Sequence, residues 1–287
     1  MILAGITLFN PEMDRIDENI AAVIDQVDAV LCVDNGSSNL QEIEEKVLSK
    51  YPADKLIVEK NGDNLGIARA LNQMFEYAKA NGYEWVLTLD QDSVVPDNII
   101  SEYKKYTDKL ENIGSLSPLI LDRNYGNNED NKGDVEELDK CITSASLTPV
   151  EAWEKVGGFF EELFIDLVDH DFCAKLVENG YKIYRINTVK LLHELGHGVS
   201  HRFLGKKITV MNHSPFRKYY IVRNRLIYMY MHKNSINIKK EKIKYYMFLI
   251  KTVLYEKDKM KKFKVMRKGA KDGKAFIKKM KAENGGN

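Results

Sequence analysis

The chain has 287 residues, enough for one large domain with an appendage or for two small domains. Hydrophobic residues make up 44% and charged residues 30%, which excludes a mostly disordered chain. The formal net charge of +1 hides a split: from Lys233 onward 18 Lys and Arg face 5 Asp and Glu, a net of +13, leaving −12 for the rest.

The first 90 residues alternate short apolar, β-branched runs with amphipathic stretches, the pattern of parallel strands joined by crossover helices. Strands are predicted over Ile2–Leu8, Ala29–Val33, Lys55–Glu59 and Trp85–Leu89. After Asn64-Leu65-Gly66, Ile67, Leu71, Met74 and Ala78 recur at helical spacing, and Asn81-Gly82 supplies the stop. Beyond Asp90 the spacing predicts a helix over Asn98–Leu110, a strand over Ile113–Pro118, a mobile polar loop over Asp122–Asp139 and a strand over Cys141–Leu147. A short helix after Pro149 ends at Gly157-Gly158, a further helix spans Val168–Glu178, and Lys182–Ile186 reads as extended. From Ser214 the chain turns helical, aromatic and basic, so an α/β domain over 1–213 and a helical region over 214–287 are expected.

Cys32, Cys141 and Cys173 lie far apart without metal-ligand spacing, which points away from a disulfide framework and toward a reducing cytoplasm. The start lacks the basic and apolar segments of a secretory leader, and no run reaches the roughly 18 apolar residues of a membrane span.

Three acidic groups carry the chemistry. Asp90-Gln91-Asp92 follows a predicted strand, and ligands of open α/β sheets bind beyond the carboxyl ends of strands. Two carboxylates there can hold Mg²⁺ or Mn²⁺ against a diphosphate, although a lone acidic triplet is often only a solvated loop. Asp34-Asn35-Gly36-Ser37 ends the second strand, where a carboxylate can accept hydrogen bonds from a ribose; a plain turn is the bland alternative. Asp166, Asp169 and Asp171 enter a helix, where acidic residues also favour the dipole. Asp169 is the candidate general base toward an acceptor hydroxyl.

Thr7-Leu8-Phe9-Asn10-Pro11, Asp34-Asn35-Gly36-Ser37, Asn64-Leu65-Gly66, Asp90-Gln91-Asp92, Gly157-Gly158-Phe159 and Phe164-Ile165-Asp166-Leu167-Val168-Asp169 together resemble, in order and spacing, the family 2 glycosyltransferases, in particular the bacterial rhamnosyltransferases. That resemblance runs from about Ile2 to Asn224. It implies a GT-A fold and an inverting, metal-dependent transfer from a nucleotide-sugar donor, with dTDP-rhamnose the specific expectation. It places Thr7, Asn10, Asp34 and Asn64 in the nucleotide pocket, Asp90 and Asp92 at metal and diphosphate, Asp169 as base and Asp166 on the acceptor side. The family often has an acidic pair at the base, whereas Val168 precedes Asp169 here, which makes Asp171 a substitute candidate. Arg223 resembles a late arginine that contacts the diphosphate, by a fork suited to phosphate oxygens; a solvated arginine on a basic helix is the alternative.

His193-Glu194-Leu195-Gly196-His197 spells the zinc-protease motif HExxH. That chemistry needs a helix, and here the motif follows an extended segment and contains Gly196. A milder expectation is that His193, or else His197, completes the metal site. The basic segment Lys257–Lys281, with apolar residues between its lysines, is expected to lie on an anionic membrane surface where a lipid-linked saccharide acceptor would be met; nucleic acid is the less favoured partner. A non-catalytic nucleotide- or nucleic-acid-binding module is the remaining alternative.

Overall fold

The computed structural model describes residues 1–122, 133–193, 199–203 and 206–284. The chain divides into two compact units, the first made of Met1–Phe164 and Val168–His193, the second of Ile165–Leu167 and Glu194–Asn287.

In the first unit, β1 (Ile2–Leu8), α1 (Met13–Val23), β2 (Ala29–Asp34), α2 (Leu40–Lys46), β3 (Leu56–Lys60), α3 (Ile67–Ala80) and β4 (Trp85–Asp90) alternate as the sequence predicts. Every residue of β2 is buried, and β1 is buried except for half-buried Thr7; both sheet faces are covered, which accounts for their continuous apolar runs. Each helix turns one face inward: Ile16, Ile20 and Val23 on α1, and Ala68, Leu71, Phe75 and Ala78 on α3. There follow α4 (Ile99–Thr107), β5 (Ile113–Asp122), β6 (Val135–Leu138), β7 (Ser146–Pro149), α5 (Val150–Lys155), α6 (Val168–Glu178) and β8 (Lys182–His193). The eight strands form one sheet in the order β3-β2-β1-β4-β7-β5-β8-β6. The strands from β3 to β4 are parallel, β7 pairs antiparallel with both β4 and β5, and β6 is antiparallel to β8.

Two elements differ from expectation. The strand placed at Cys141–Leu147 begins only at Ser146, because the preceding residues form a turn: Ser146 Oγ donates to Ile142 O at 2.6 Å, Thr88 Oγ1 to Thr143 O at 2.6 Å, and Ala145 sits at φ +56°. The polar stretch expected as a loop over Asp122–Asp139 contains β6, an edge strand with a half-solvated surface, so its composition reads as loop. Its Glu136 pairs with Arg185 of β8. Residues 123–132 lie outside the described residues.

The second unit holds the antiparallel hairpin β9 (Val199–Phe203) and β10 (Lys206–Val210), then α7 (Pro215–Met231), α8 (Ile238–Tyr255) and α9 (Lys259–Asn284). Ser214 caps α7 and Asn237 caps α8, each side chain accepting from a backbone N–H three residues on. α9 lies close along α7: a Cβ at Gly269 would stand 2.5 Å from Tyr219 O, and one at Gly273 2.9 Å from Arg223 O. Among the described residues no helix is long and apolar enough to cross a membrane.

Candidate active site

The order β3-β2-β1-β4 reverses direction between β1 and β4, and a crevice opens beyond the carboxyl ends of strands at such a point. Register brings the candidate residues there together: Thr7 lies beside Val33 on one side and Asp90 on the other, and Leu8 lies beside Asp34. Thr7 Oγ1 is buried without a hydrogen-bond partner among the described residues, an orphan polar atom near this strand end.

The loops beyond these strands are tied to one another by side chains. Phe9 N donates to Gln91 Oε1 at 2.9 Å, and Asn10 N to Ser37 Oγ at 2.8 Å. Asn10 Oδ1 accepts from Ser38 N and Ser38 Oγ, both at 2.8 Å. Asp34 is 1% exposed and its carboxylate accepts from Gly36 N at 3.0 Å and Ser37 N at 3.1 Å, so it shapes the turn from within. Asn35 Oδ1 accepts from Leu65 N at 3.0 Å and Asn61 Nδ2 at 3.1 Å, and its Nδ2 donates to Asn64 Oδ1 at 3.3 Å. Asn64 Oδ1 also accepts from Gly66 N. Asn10, Asp34 and Asn64 therefore build the wall of the crevice. Asn35 and Gln91, which the sequence reading passed over, join that wall to the β4 end and to the β3–α3 loop.

Asp90 is half-buried and Asp92 exposed, on a turn closed by Ser93 N donating to Asp90 O at 3.1 Å. Asn19, fully buried on α1, donates to the same carbonyl at 2.7 Å. The donor set is two hard carboxylates two residues apart, which suits a magnesium or manganese ion that keeps its other positions for water and phosphate oxygens. Among the described residues no group of three or more His, Cys, Asp or Glu gathers into a metal cage. The expected third ligand, His193, ends β8 opposite Asp122, and its side chain lies outside the described residues, as does His197. His193, the first residue of the HExxH run, stands on a strand; the other four lie outside the described residues.

Asp169 sits in the first turn of α6, its side chain 23% exposed. Its Oδ1 accepts from His170 N at 2.8 Å and meets His170 Nδ1 at 3.0 Å. Burial pushes its pKa up, but the hydrogen bonds and charge of His170, helped by Lys140, outweigh this and hold the carboxyl below its ordinary value. It is therefore ionised at neutral pH, as a base must be. It borders a small cavity with Thr88, Thr148, Phe159, Cys141 and Cys173, the two sulfurs 3.9 Å apart. Asp171, the substitute candidate, is fully buried and paired with Lys175 at 3.3 Å; closed to solvent, it is not placed to meet an acceptor.

In the second unit Asp166 accepts from Arg217 through both oxygens, Oδ1 from Nη2 at 2.5 Å and Oδ2 from Nε at 3.3 Å. Asn224 Nδ2 donates to the carbonyls of Ile165 at 2.8 Å and Asp166 at 3.1 Å. Asp166 and Leu167 stand at φ +65° and +66°, backbone that L-residues rarely adopt, and these four bonds hold it. Arg223 donates to Asn224 Oδ1 at 2.8 Å and lies over the ring of Phe276. Arg217, not singled out from the sequence, is the arginine at Asp166.

A sequence profile described as glycosyl transferase family 2 matches residues 5–159. The chain is 29% identical over 251 residues to the dTDP-rhamnosyl transferase RfbF of Shigella flexneri, covering 82% of this chain and 81% of that one. In fold it is similar to TarS of S. aureus crystallised with UDP, at a TM-score of 0.57 and 16% identity over 88% of this chain and 72% of that one. It is also similar to the mannosyltransferase PcManGT of Pyrobaculum calidifontis in complex with GDP-Man and Mn²⁺, at a TM-score of 0.59 and 12% identity over 99% and 79%. The sheet order, the crevice at its reversal and these likenesses agree on a GT-A architecture, and since the profile spans more than half of the sequence, the chain belongs to glycosyl transferase family 2 and is a glycosyltransferase.

Proposed function

We propose that this enzyme is an inverting rhamnosyltransferase that moves rhamnose from dTDP-rhamnose to a hydroxyl of a cell-surface polysaccharide or a lipid-linked saccharide acceptor. The observation that carries it is Thr7, Asp34 and Asp90 on three neighbouring strand ends, with Asp92 exposed beside them, in a chain similar throughout most of its length to a dTDP-rhamnosyl transferase. The proposal takes 1–213 as the catalytic region and 214–287 as its helical appendage. It places the protein in the cytoplasm, peripheral on the membrane that carries the acceptor.

In this reading the walled crevice receives the nucleoside, with Thr7, Asn10, Asp34 and Asn64 lining it. Asp90 and Asp92 would hold Mg²⁺ or Mn²⁺, which when bound neutralises the diphosphate. The carboxylate of Asp169 takes the proton of the acceptor hydroxyl as its oxygen bonds to the anomeric carbon from the face opposite the diphosphate. The bond from that carbon to the phosphate oxygen breaks, and its electron pair leaves with dTDP. His170 holds Asp169 ionised and oriented. The places of Asp166 on the acceptor side and Arg223 at the diphosphate rest on the resemblance alone.

Titration calorimetry of dTDP and UDP, with Mn²⁺ and then with EDTA, tests the donor part. Metal-dependent binding of dTDP, weakened about tenfold or more in Asp92→Asn, is expected. Asp169→Asn is expected to keep that binding while rhamnosyl transfer falls by about 10²–10⁴. Absence of dTDP binding under every condition overturns the proposal.

A further inference from the structure

The second unit carries an apolar face that none of the described residues covers. On α8, Ile243, Tyr246, Met247, Ile250, Val253 and Leu254 recur at spacings of three and four, so they form one continuous stripe, and each is between 40 and 63% exposed. The opposite face of α8 is the buried one: Thr252 is fully buried and receives Lys218 Nζ at 2.8 Å, and Glu241 receives Arg225 at 2.8 Å. Beside the stripe an almost wholly apolar groove of about 450 Å³ opens between α8 and α9, floored by Leu249 and Met266. Met260 and Phe263 of α9, 71% and 49% exposed, continue the apolar surface past the turn.

Charge identifies what this face fits. From Ile238 to Asn284 there are 17 Lys and Arg against 5 Asp and Glu. Four of those acids are engaged within the unit: Glu241 with Arg225 and Lys244, Glu256 with Lys218 and Lys262, Asp272 with the Tyr219 hydroxyl, and Glu283 with Lys279. Exposed lysines, among them Lys242, Lys257, Lys261 and Lys264, remain around the stripe. A second copy would bring an equally basic face and be repelled, whereas a surface of phosphodiester anions over hydrocarbon complements both features at once.

We propose that α8, together with the α8–α9 groove, is the membrane-seating element: its stripe enters the acyl boundary of an anionic phospholipid bilayer while the surrounding lysines meet headgroup phosphates. The proposal rests on the peripheral-membrane part of the reading above, but not on the donor. It also shifts the centre of the contact from the basic α9 expected from the sequence to α8 and the start of α9, because the later part of α9 is packed on α7 at Gly269 and Gly273.

The test is flotation of the full chain with vesicles of phosphatidylcholine plus phosphatidylglycerol, against pure phosphatidylcholine, without nucleotide. Binding only to the anionic vesicles is expected, weakened by salt, and reduced about tenfold or more by Ile250→Ser with Leu254→Ser. dTDP titration of the same variant reports its fold and the donor site separately. Leu254→Trp, a milder change, is expected to give blue-shifted emission when anionic vesicles are added. Equal flotation with both vesicle types, or binding unaltered by the double variant, overturns the proposal. So does a concentration-dependent dimer in light scattering that the double variant dissociates, which would assign the face to a second copy.

Discussion

Asp169 titrates below its ordinary value because the hydrogen bonds from His170, its neighbour along the chain, outweigh the rise that burial causes. A carboxyl depressed in the folded state stabilises the fold above its unfolded pKa, and that contribution is lost as pH falls through the folded value. With Asp169 as the proposed base, the acid limb of the pH–rate profile is expected below the ordinary Asp value of about 3.9. His170→Ala should move that limb upward, with dTDP binding unchanged; a limb that stays put would detach His170 from the base. At this scale the sequence was partly legible. The positions of Asp90, Asp92 and Asp169 in the fold were legible because each stands at or next to an element's end, where the strand or helix pattern fixes its place. Arg217 was hidden because its partner Asp166 is 51 positions away, and nothing local marks such a pair.

Elements were legible where one physical signal dominated. The parallel strands β1 to β4 show continuous apolar runs, and α3 has a helical period closed by Asn81-Gly82, so their limits lie within a residue or two of expectation. β6 was missed because a half-solvated edge strand carries polar residues, and β7 started late because hydroxyls of Thr88 and Ser146 capture the backbone before it. The β3–α3 loop shows how tightly an element can be specified. Gly66 sits at φ +88°, a Cβ there would stand 2.6 Å from the Phe164 ring, and Ile67 N donates to Phe164 O at 2.7 Å. Gly66→Ala is expected to cost about 1–3 kcal/mol in chemical denaturation from the backbone alone, with the clash added. Gly62→Ala, at φ +73° with nothing within 4 Å, should show only the backbone part. Equal costs would refute the steric contribution.

At the scale of the whole molecule, the charge split seen in the sequence corresponds to a basic second unit whose helices are joined by a buried ionic cluster. Lys218 of α7 and Lys262 of α9 both reach Glu256, at 2.5 and 2.9 Å, and all three are at most 4% exposed. Burial raises the Glu256 pKa, but the two lysine hydrogen bonds outweigh it and the carboxyl titrates below its ordinary value. Its stabilisation is thus present above the usual carboxylate range and lost in acid. Glu256→Ala leaves two buried cations unpaired and is expected to destabilise the second unit by about 3–5 kcal/mol, seen as an earlier thermal transition. An unchanged transition would mean that the cluster contributes nothing net. The cluster itself was not legible in the sequence, where these residues read as members of a solvated basic run.

The place of β7 has a consequence for synthesis. Its residues lie in the sheet between β4 and β5 but arrive long after β4 has been made. At about 5–20 residues per second, a ribosome needs roughly 3–12 s to pass from Asp90 to Pro149. During that interval the parallel half of the sheet, β3 to β4, can assemble, yet β4 has an open flank of unpaired N–H and C=O groups. The nascent chain therefore has a defined window in which a holdase is most needed, and a slow codon run after Pro149 would give β7 time to close it.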